Sequence, residues 1–213
     1  MMHLSPEAED LLEQLYMREI EHLPDPLPAT DDRVIQELVR RELLRRQDVK
    51  VSLTKTGRTE AEMAVRRHRL AERLLHDVIA VRDSQVDSAA CEFEHSLHHG
   101  IAEHICTLLG HPTTCPHGRP IPPGRCCRER AGASSVIAPL AAMKSGERGT
   151  IAYLTSHQPD TVQKLMSLGV LPGAPVAVIQ IFPSVVFQVN QTQVAIDAGL
   201  AGNIFVRRNE KSS

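Results

Sequence analysis

The stretch 54-TKTGRTEAEMAVRRHRLAERLLHDVIA-80 decides the fold. Thr54 offers a hydroxyl to the free backbone N–H groups of a first turn. Ala61, Val65, Leu70, Leu74 and Val78 then recur at helical spacing among charged residues. The pattern predicts one long amphipathic helix around which the chain is organised. Within it His68 and Glu72 stand one turn apart on one face, a spacing shared by chelating pairs and ordinary surface ion pairs.

Toward the N-terminus, Ser5-Pro6-Glu7 reads as a cap with proline at the first helical position, opening a helix to about His22 with Leu11, Leu12, Leu15 and Ile20 inward. The following 23-LPDPLPATDD-32 is too rich in proline to be helical. Thr30 or Asp31 caps a second helix, with Val34, Ile35, Leu38, Val39 and Leu43 inward and Arg33, Arg40, Arg41 and Arg45 outward. Leu43 to Arg45 and Val49 to Leu53, joined across Gln47-Asp48, predict a short hairpin.

Toward the C-terminus, a further helix is expected from Ser84 to about Leu109, carrying 87-DSAACEFEHSLHHG-100. Cys91, Glu94 and His95 share one face of it. A sulfur, a carboxylate and an imidazole converging there describe a metal site; a half-buried amphipathic helix with a packed free cysteine fits the spacing as well. His98, His99 and His104 read as surface residues. The segment 111-HPTTCPHGRPIPPGRCCRERAG-132 reads as ordered loop. From Ser134 on, short alternating strands broken by Gly, Pro and Asn, with one helix from Asp160 to Leu168, predict about five strands in a small, partly closed barrel.

The 213 residues leave room for one large or two to three small domains, and an apolar fraction of 42% supports a globular core. No apolar run approaches the ~20 residues of a membrane span. The start MMHLSPEAED lacks the basic and apolar regions of a signal peptide, so a cytosolic location without membrane contact is expected. Five cysteines, an odd count, argue against a disulfide framework. Residues 1–32 carry nine Asp/Glu and one Arg, whereas residues 33–73 carry twelve Lys/Arg and six Asp/Glu. That local basic segment hints at a polyanion. No catalytic triad, phosphate loop or HExxH signature is present, so an enzyme is not expected.

The run 53-LTKTGRTEAEMAVRRHRLAERLL-75, then CEFEH, then CPHGRPIP, resembles the diphtheria toxin repressor family of metal-dependent transcription regulators. The closing PLAAMKSGERGTIAYL, LMSLGVLPGAPVAVIQ and VAIDAGLAGNIFV resemble that family's SH3-like barrel in its ferrous-iron transport protein A form. The resemblance runs from about Leu53 to Val206. It implies an α+β chain of three parts: a shortened winged-helix-like segment at 1–57, an all-α metal-binding and dimerisation domain at 58–130, and an SH3-like β-barrel at 131–213.

Carried over residue by residue, the regulatory metal site is Cys91, Glu94 and His95 with Asp10 from the first helix. A second site takes His68 and Glu72 with Asp87, and 157-HQPDT-161 is a further candidate from the barrel. The mixed soft and hard donors favour Fe(II), with Co, Ni or Zn possible and Mn less suited. The resemblance implies a homodimer that represses transcription from a palindromic operator on double-stranded DNA when metal is bound. Arg33, Gln36, Arg40, Arg41, Arg45 and Arg46 are the DNA-facing candidates, the arginines mostly toward phosphate.

Compared with the family, the N-terminal part is short by about ten residues, roughly one helix with its turn. The positioning helix of a helix-turn-helix is the expected loss. The second helix also opens with Asp31 and Asp32, which phosphate would repel. The alternative is therefore a metal-responsive protein-interaction module with reduced operator recognition, with the barrel a possible surface for a protein partner. A separate reading concerns 115-CPHGRPIPPGRCC-127, where Cys115, His117, Cys126 and Cys127 could bind zinc or an iron–sulfur cluster, or could be packed or free thiols in a structural loop.

Overall fold

The computed structural model describes residues 4–23, 30–48, 50–79, 81–97, 100–129, 137–155 and 159–208. Helix α1 spans Pro6–Glu19, capped by Ser5, whose hydroxyl accepts from the Ala8 N–H. Helix α2 spans Asp32–Arg40, capped by Asp31, whose carboxylate accepts from the Arg33 N–H at 2.9 Å. Strands β1 (Leu44–Gln47) and β2 (Lys50–Leu53) pair antiparallel, Leu44 opposite Leu53. The hairpin thus sits about one residue later than its sequence pattern predicts; Asp48 turns the chain with a positive φ of 52°, and Val49 lies outside the described residues. Most of the proline spacer, 24–29, lies outside them too. Among the described residues one helix, α2, stands between α1 and the hairpin.

One face of α1 (Ala8, Leu11, Leu12, Leu15) packs with Leu38, Leu43, Leu44 and Leu53 into a small apolar core. The other face carries Glu9 and Glu13, both buried, toward α3. Helix α3 spans Lys55–Arg73 with the Thr54 hydroxyl accepting from the Gly57 N–H at 2.9 Å. The same hydroxyl donates to the Glu42 carbonyl at 2.6 Å, tying the helix start to the chain just before β1. Gly57 lies so close to the strand entry that any Cβ there would overlap the Leu43 carbonyl.

The long helix expected to reach residue 80 ends earlier as an α-helix and continues as a π-helical turn over Leu74–Val78. The single helix expected from Ser84 to Leu109 is two. Helix α4 covers Asp83–Glu94 and α5 covers Ile101–Leu108. Gly100, at φ 85°, is the conformation that divides them, and glycine adopts it without the steric cost other residues meet. The cysteine- and proline-rich loop also holds a short helix, α6 (Arg125–Glu129).

The C-terminal part contains strands β3 (Ile137–Pro139), β4 (Arg148–Leu154), β5 (Pro175–Gln180), β6 (Val185–Val189), β7 (Thr192–Ile196) and β8 (Ile204–Arg208). They form one antiparallel sheet in the order β3-β8-β4-β5-β6-β7, with α7 (Pro159–Ser167) after β4 and α8 (Ala198–Gly202) before β8. The sheet fits the SH3-like expectation, and its inner face is apolar, centred on Phe187, Ile151, Val206 and Leu140. Tyr153 and Phe205 turn the other way, stack at 4.6 Å, and share a core with Leu70, Ala90 and Cys106 of the helices. No described helix is long and apolar enough to cross a membrane.

Candidate metal centre

Three helices bring charged side chains into one cleft of about 610 Å³, lined among others by Asp10, Glu13, His68, Glu72, Asp87 and Cys91. Asp10, Cys91 and His95 converge, their ligand atoms all within 4.8 Å of one another. The orientation of His95 is set from behind: its Nδ1 lies 2.8 Å from Glu9 Oε2, and Glu9 is in turn paired with Arg67 at 2.8 Å. That leaves Nε2 facing Asp10 Oδ1 at 3.4 Å. A carboxylate behind an imidazole is the arrangement that orients a histidine toward a metal. Glu9 was not legible as part of the site from sequence.

Glu94, expected beside those three, lies between two groups. Its Oε1 is 3.9 Å from His95 Nε2, and its Oε2 is 2.9 Å from His68 Nδ1. It clusters with Glu13 and His68 rather than with Cys91. Glu13 is a second acidic residue that sequence reading passed over, although it stands one turn after Asp10 on the same helix.

His68, Glu72 and Asp87 also come together, with His68 Nε2 3.6 Å from an oxygen of each carboxylate. Asp87 sits at the rim, 79% exposed, whereas the Glu72 side chain is 3% exposed. His157 of the barrel candidate lies outside the described residues, and Asp160 joins no described cluster. Cys115 and His117 group with Glu72 instead of with Cys126 and Cys127, His117 Nδ1 lying 2.7 Å from Glu72 Oε1.

His68 therefore sits among four carboxylates. Burial pulls its imidazole down, but hydrogen bonds to Glu72 and Glu94 outweigh burial and push it up to about 11. Burial works against Glu72 as well, yet its bonds to His68 and Cys115 hold it down at about 2. Burial pushes Glu13 up to about 8, with the His68 charge opposing, and it raises Glu94 and Asp10 for the same reason. The Cys91 thiol goes up to about 11 through burial and the nearby Asp10 and Glu94 charges.

Several of these oxygens lack a hydrogen-bond donor while buried: Asp10 Oδ1, Glu72 Oε2 and Glu94 Oε1. A buried carboxylate oxygen without a donor is costly, of the order of 1–3 kcal/mol. A cation supplies what the protein leaves out, and the donor chemistry of a thiol, imidazoles and carboxylates fits a divalent transition metal.

The DNA-facing candidates lie apart from the cleft. Arg33, Gln36, Arg40, Arg45 and Arg46 are exposed and Arg41 is half-buried. Asp32, expected to repel phosphate, is instead occupied. It accepts from Gln36 Nε2 at 2.6 Å and from Arg46 of β1, and these bonds hold its carboxyl below the usual range. Arg41 pairs with Glu37 at 2.6 Å. The arginines of α2 and β1 thus face outward on a surface whose acidic residues are largely engaged within it.

Residues 54–123 match the family described as iron dependent repressor, metal binding and dimerisation domain, and residues 138–208 match the FeoA domain. The chain is 35% identical over 136 residues to the iron-dependent repressor IdeR of Mycobacterium leprae (strain TN), covering 60% of this chain and 59% of that protein. It is 39% identical over 75 residues to the diphtheria toxin repressor of Corynebacterium diphtheriae, covering 35% of this chain and 33% of that one. The chain thus spans less than two thirds of either relative. A solved structure described as a manganese-dependent transcriptional repressor in complex with manganese is 23% identical and covers 95% of this chain and 100% of that chain, with a TM-score of 0.47.

Proposed function

We propose that this chain, whose residues 54–123 match the iron dependent repressor metal-binding and dimerisation domain and whose residues 138–208 match the FeoA domain, belongs to the diphtheria toxin repressor family and is an Fe(II)-dependent DNA-binding repressor acting as a homodimer. The observation that carries this reading is the set of buried, donorless carboxylate oxygens on Asp10, Glu72 and Glu94, gathered beside Cys91, His95 and His68. In this reading Asp10, Cys91 and His95 hold one ion with Glu94 beside them, and His68, Glu72 and Asp87 hold a second. Bound metal supplies positive charge and directed bonds that offset the clustered carboxylates.

The protein's part is linkage. Asp10 is on α1, whereas Cys91 and His95 belong to α4 and its end. Their joint use as ligands fixes α1 against α4. Because the opposite face of α1 packs on α2 and the hairpin, fixing α1 also fixes the outward arginines. A dimer of such units presents two α2 helices at one separation, and a palindromic operator selects that separation. In the proposed division 1–57 meets DNA, 58–130 holds metal and dimerises, and 131–213 is the barrel. Ile101 and Leu108, exposed on α5 at 44% and 36%, offer apolar area for the dimer.

The test is anaerobic anisotropy of labelled genomic operator fragments with and without Fe(II) or Co(II), across a salt series. Metal-dependent binding to a palindromic site supports the reading. Binding that is weak, equal on random DNA and indifferent to metal overturns it.

A further inference from the structure

Three cysteines and a histidine outside the proposed regulatory centre converge on another side of α3. Cys106 comes from α5, His111 from the turn after it, and Cys126 and Cys127 from α6; their ligand atoms all lie within 4.8 Å of one another. The Cys106 and Cys127 sulfurs are 3.6 Å apart, the Cys126 and Cys127 sulfurs 3.9 Å, and Cys106 Sγ lies 3.5 Å from His111 Nδ1. Zinc bonds of about 2.3 Å to sulfur and about 2.0–2.1 Å to nitrogen in a tetrahedron require sulfur–sulfur edges of about 3.8 Å and sulfur–nitrogen edges of about 3.5 Å. We propose that Cys106, His111, Cys126 and Cys127 form a structural zinc site of the Cys3His type, separate from the regulatory centre.

The surroundings are built for such a site. Cys106 is fully buried, and His111 is turned back onto it by a positive φ of 60° and a bond from its N–H to the Cys106 carbonyl at 2.7 Å. Arg66 of α3 donates Nη2 to Cys126 Sγ at 3.4 Å and to Cys127 Sγ at 3.8 Å, while its Nη1 is anchored on the Pro122 carbonyl at 2.6 Å. Three thiolates around a divalent ion leave one net negative charge, and a buried guanidinium hydrogen-bonded to the sulfurs offsets it. Gly124 makes room for that guanidinium, since a Cβ there would come within 2.6 Å of Arg66 Nε.

Two other occupants fit less well. A disulfide brings sulfurs to about 2.0 Å and leaves a third thiol and the imidazole without a role. An iron–sulfur cluster spreads its protein ligands over more than one iron, whereas four donors within 4.8 Å make a shell for one ion. The consequence of the zinc site is local: it pins both ends of the loop that carries Cys115 and His117 toward Glu72.

The test uses the full chain carrying Cys91→Ala and His68→Ala, which removes ligands of the regulatory centre and makes failure of that reading distinguishable from failure of this one. Elemental analysis after mild chelation is expected to find one zinc per chain, lost when Cys127→Ser or Cys126→Ser is added. Cobalt in its place is expected to give thiolate charge-transfer absorbance about three times that of a single-thiolate site. Should the added variants fail to fold, alkylation with peptide mapping decides on the parent: Cys106, Cys126 and Cys127 stay protected with metal and react once it is stripped with a strong chelator. Equal labelling in both states, a disulfide in metal-free protein, or iron with acid-labile sulfide overturns the proposal.

Discussion

The inner face of the C-terminal sheet and the cleft between α1, α3 and α4 are both buried, yet they are made on opposite principles. The sheet packs Leu140, Ile151, Phe187, Val206 and their neighbours, and among the described residues no charged side chain is buried there. The cleft buries Glu13, Glu72 and Glu94 around His68 and leaves carboxylate oxygens without donors. Of the buried side-chain atoms outside good hydrogen-bond geometry among the described residues, one belongs to the barrel, Arg208 Nε, and the others lie in the helical part. Burial by itself therefore does not report stability: one region gains from being closed, and the other is closed at a cost that an outside cation offsets.

The largest effect that separates the two regions is in the sheet. Phe187→Ala removes a side chain with no exposed surface and is expected to cost about 3–5 kcal/mol, read by denaturant unfolding, while the Co(II) affinity of the cleft stays unchanged. His95→Ala reverses the pattern. Unfolding without metal shifts little, but the metal-dependent gain, about 2.7 kcal/mol at 100 times the Kd, disappears from thermal melts.

Next comes pH. The carboxyl of Glu13 is raised to about 8 in the fold, so its contribution is complete below its unfolded value near 4.5 and is lost as pH rises through about 8. His68, raised to about 11, adds a loss that begins above about 6.5. Metal-free protein is therefore expected to melt lower as pH rises from about 5 to about 9, with Glu13→Gln flattening the lower part of the curve. Metal affinity runs the other way, because the Cys91 thiol, up at about 11, sheds its proton on binding. Parallel slopes would erase the contrast between the closed cleft and its cation-bound form.

Glu9→Gln sharpens the comparison further, since it meets the proposed ligand His95 at Nδ1, the nitrogen turned away from Asp10. A loss of about 10–100-fold in Co(II) affinity is expected by titration. The smallest change is Asp87→Asn. At 79% exposed, Asp87 is expected to contribute about 0.2–1 kcal/mol, visible as a small shift in the second binding step.

Periodicity and capping were sufficient for the elements that rest on local chemistry. Ser5, Asp31 and Thr54 cap the helices their sequence positions predict. Where the pattern misled, a longer-range or subtler feature decided. Apolar spacing runs without interruption through 84–109, and only the backbone freedom of Gly100 marks the break between α4 and α5. In the cleft, same-face spacing was enough to group Cys91 with His95 and His68 with Glu72. It could not show that Glu94 would turn toward His68, or that Cys115 would leave its sequence neighbours for Glu72, because both depend on how separate helices pack. The acidic excess of residues 1–32 held the missing signal: Glu9 and Glu13 are part of it, but charge alone does not say which residues point inward.

Gly57 has a mechanical corollary. With no room for a Cβ between Gly57 and the Leu43 carbonyl, and with Thr54 bonded to Glu42, the beginning of the longest described helix is welded to the hairpin entry. Relative movement between the arginine-bearing surface and α3 has no give at that seam. Any adjustment has to pivot about it, with the first helix as the lever arm.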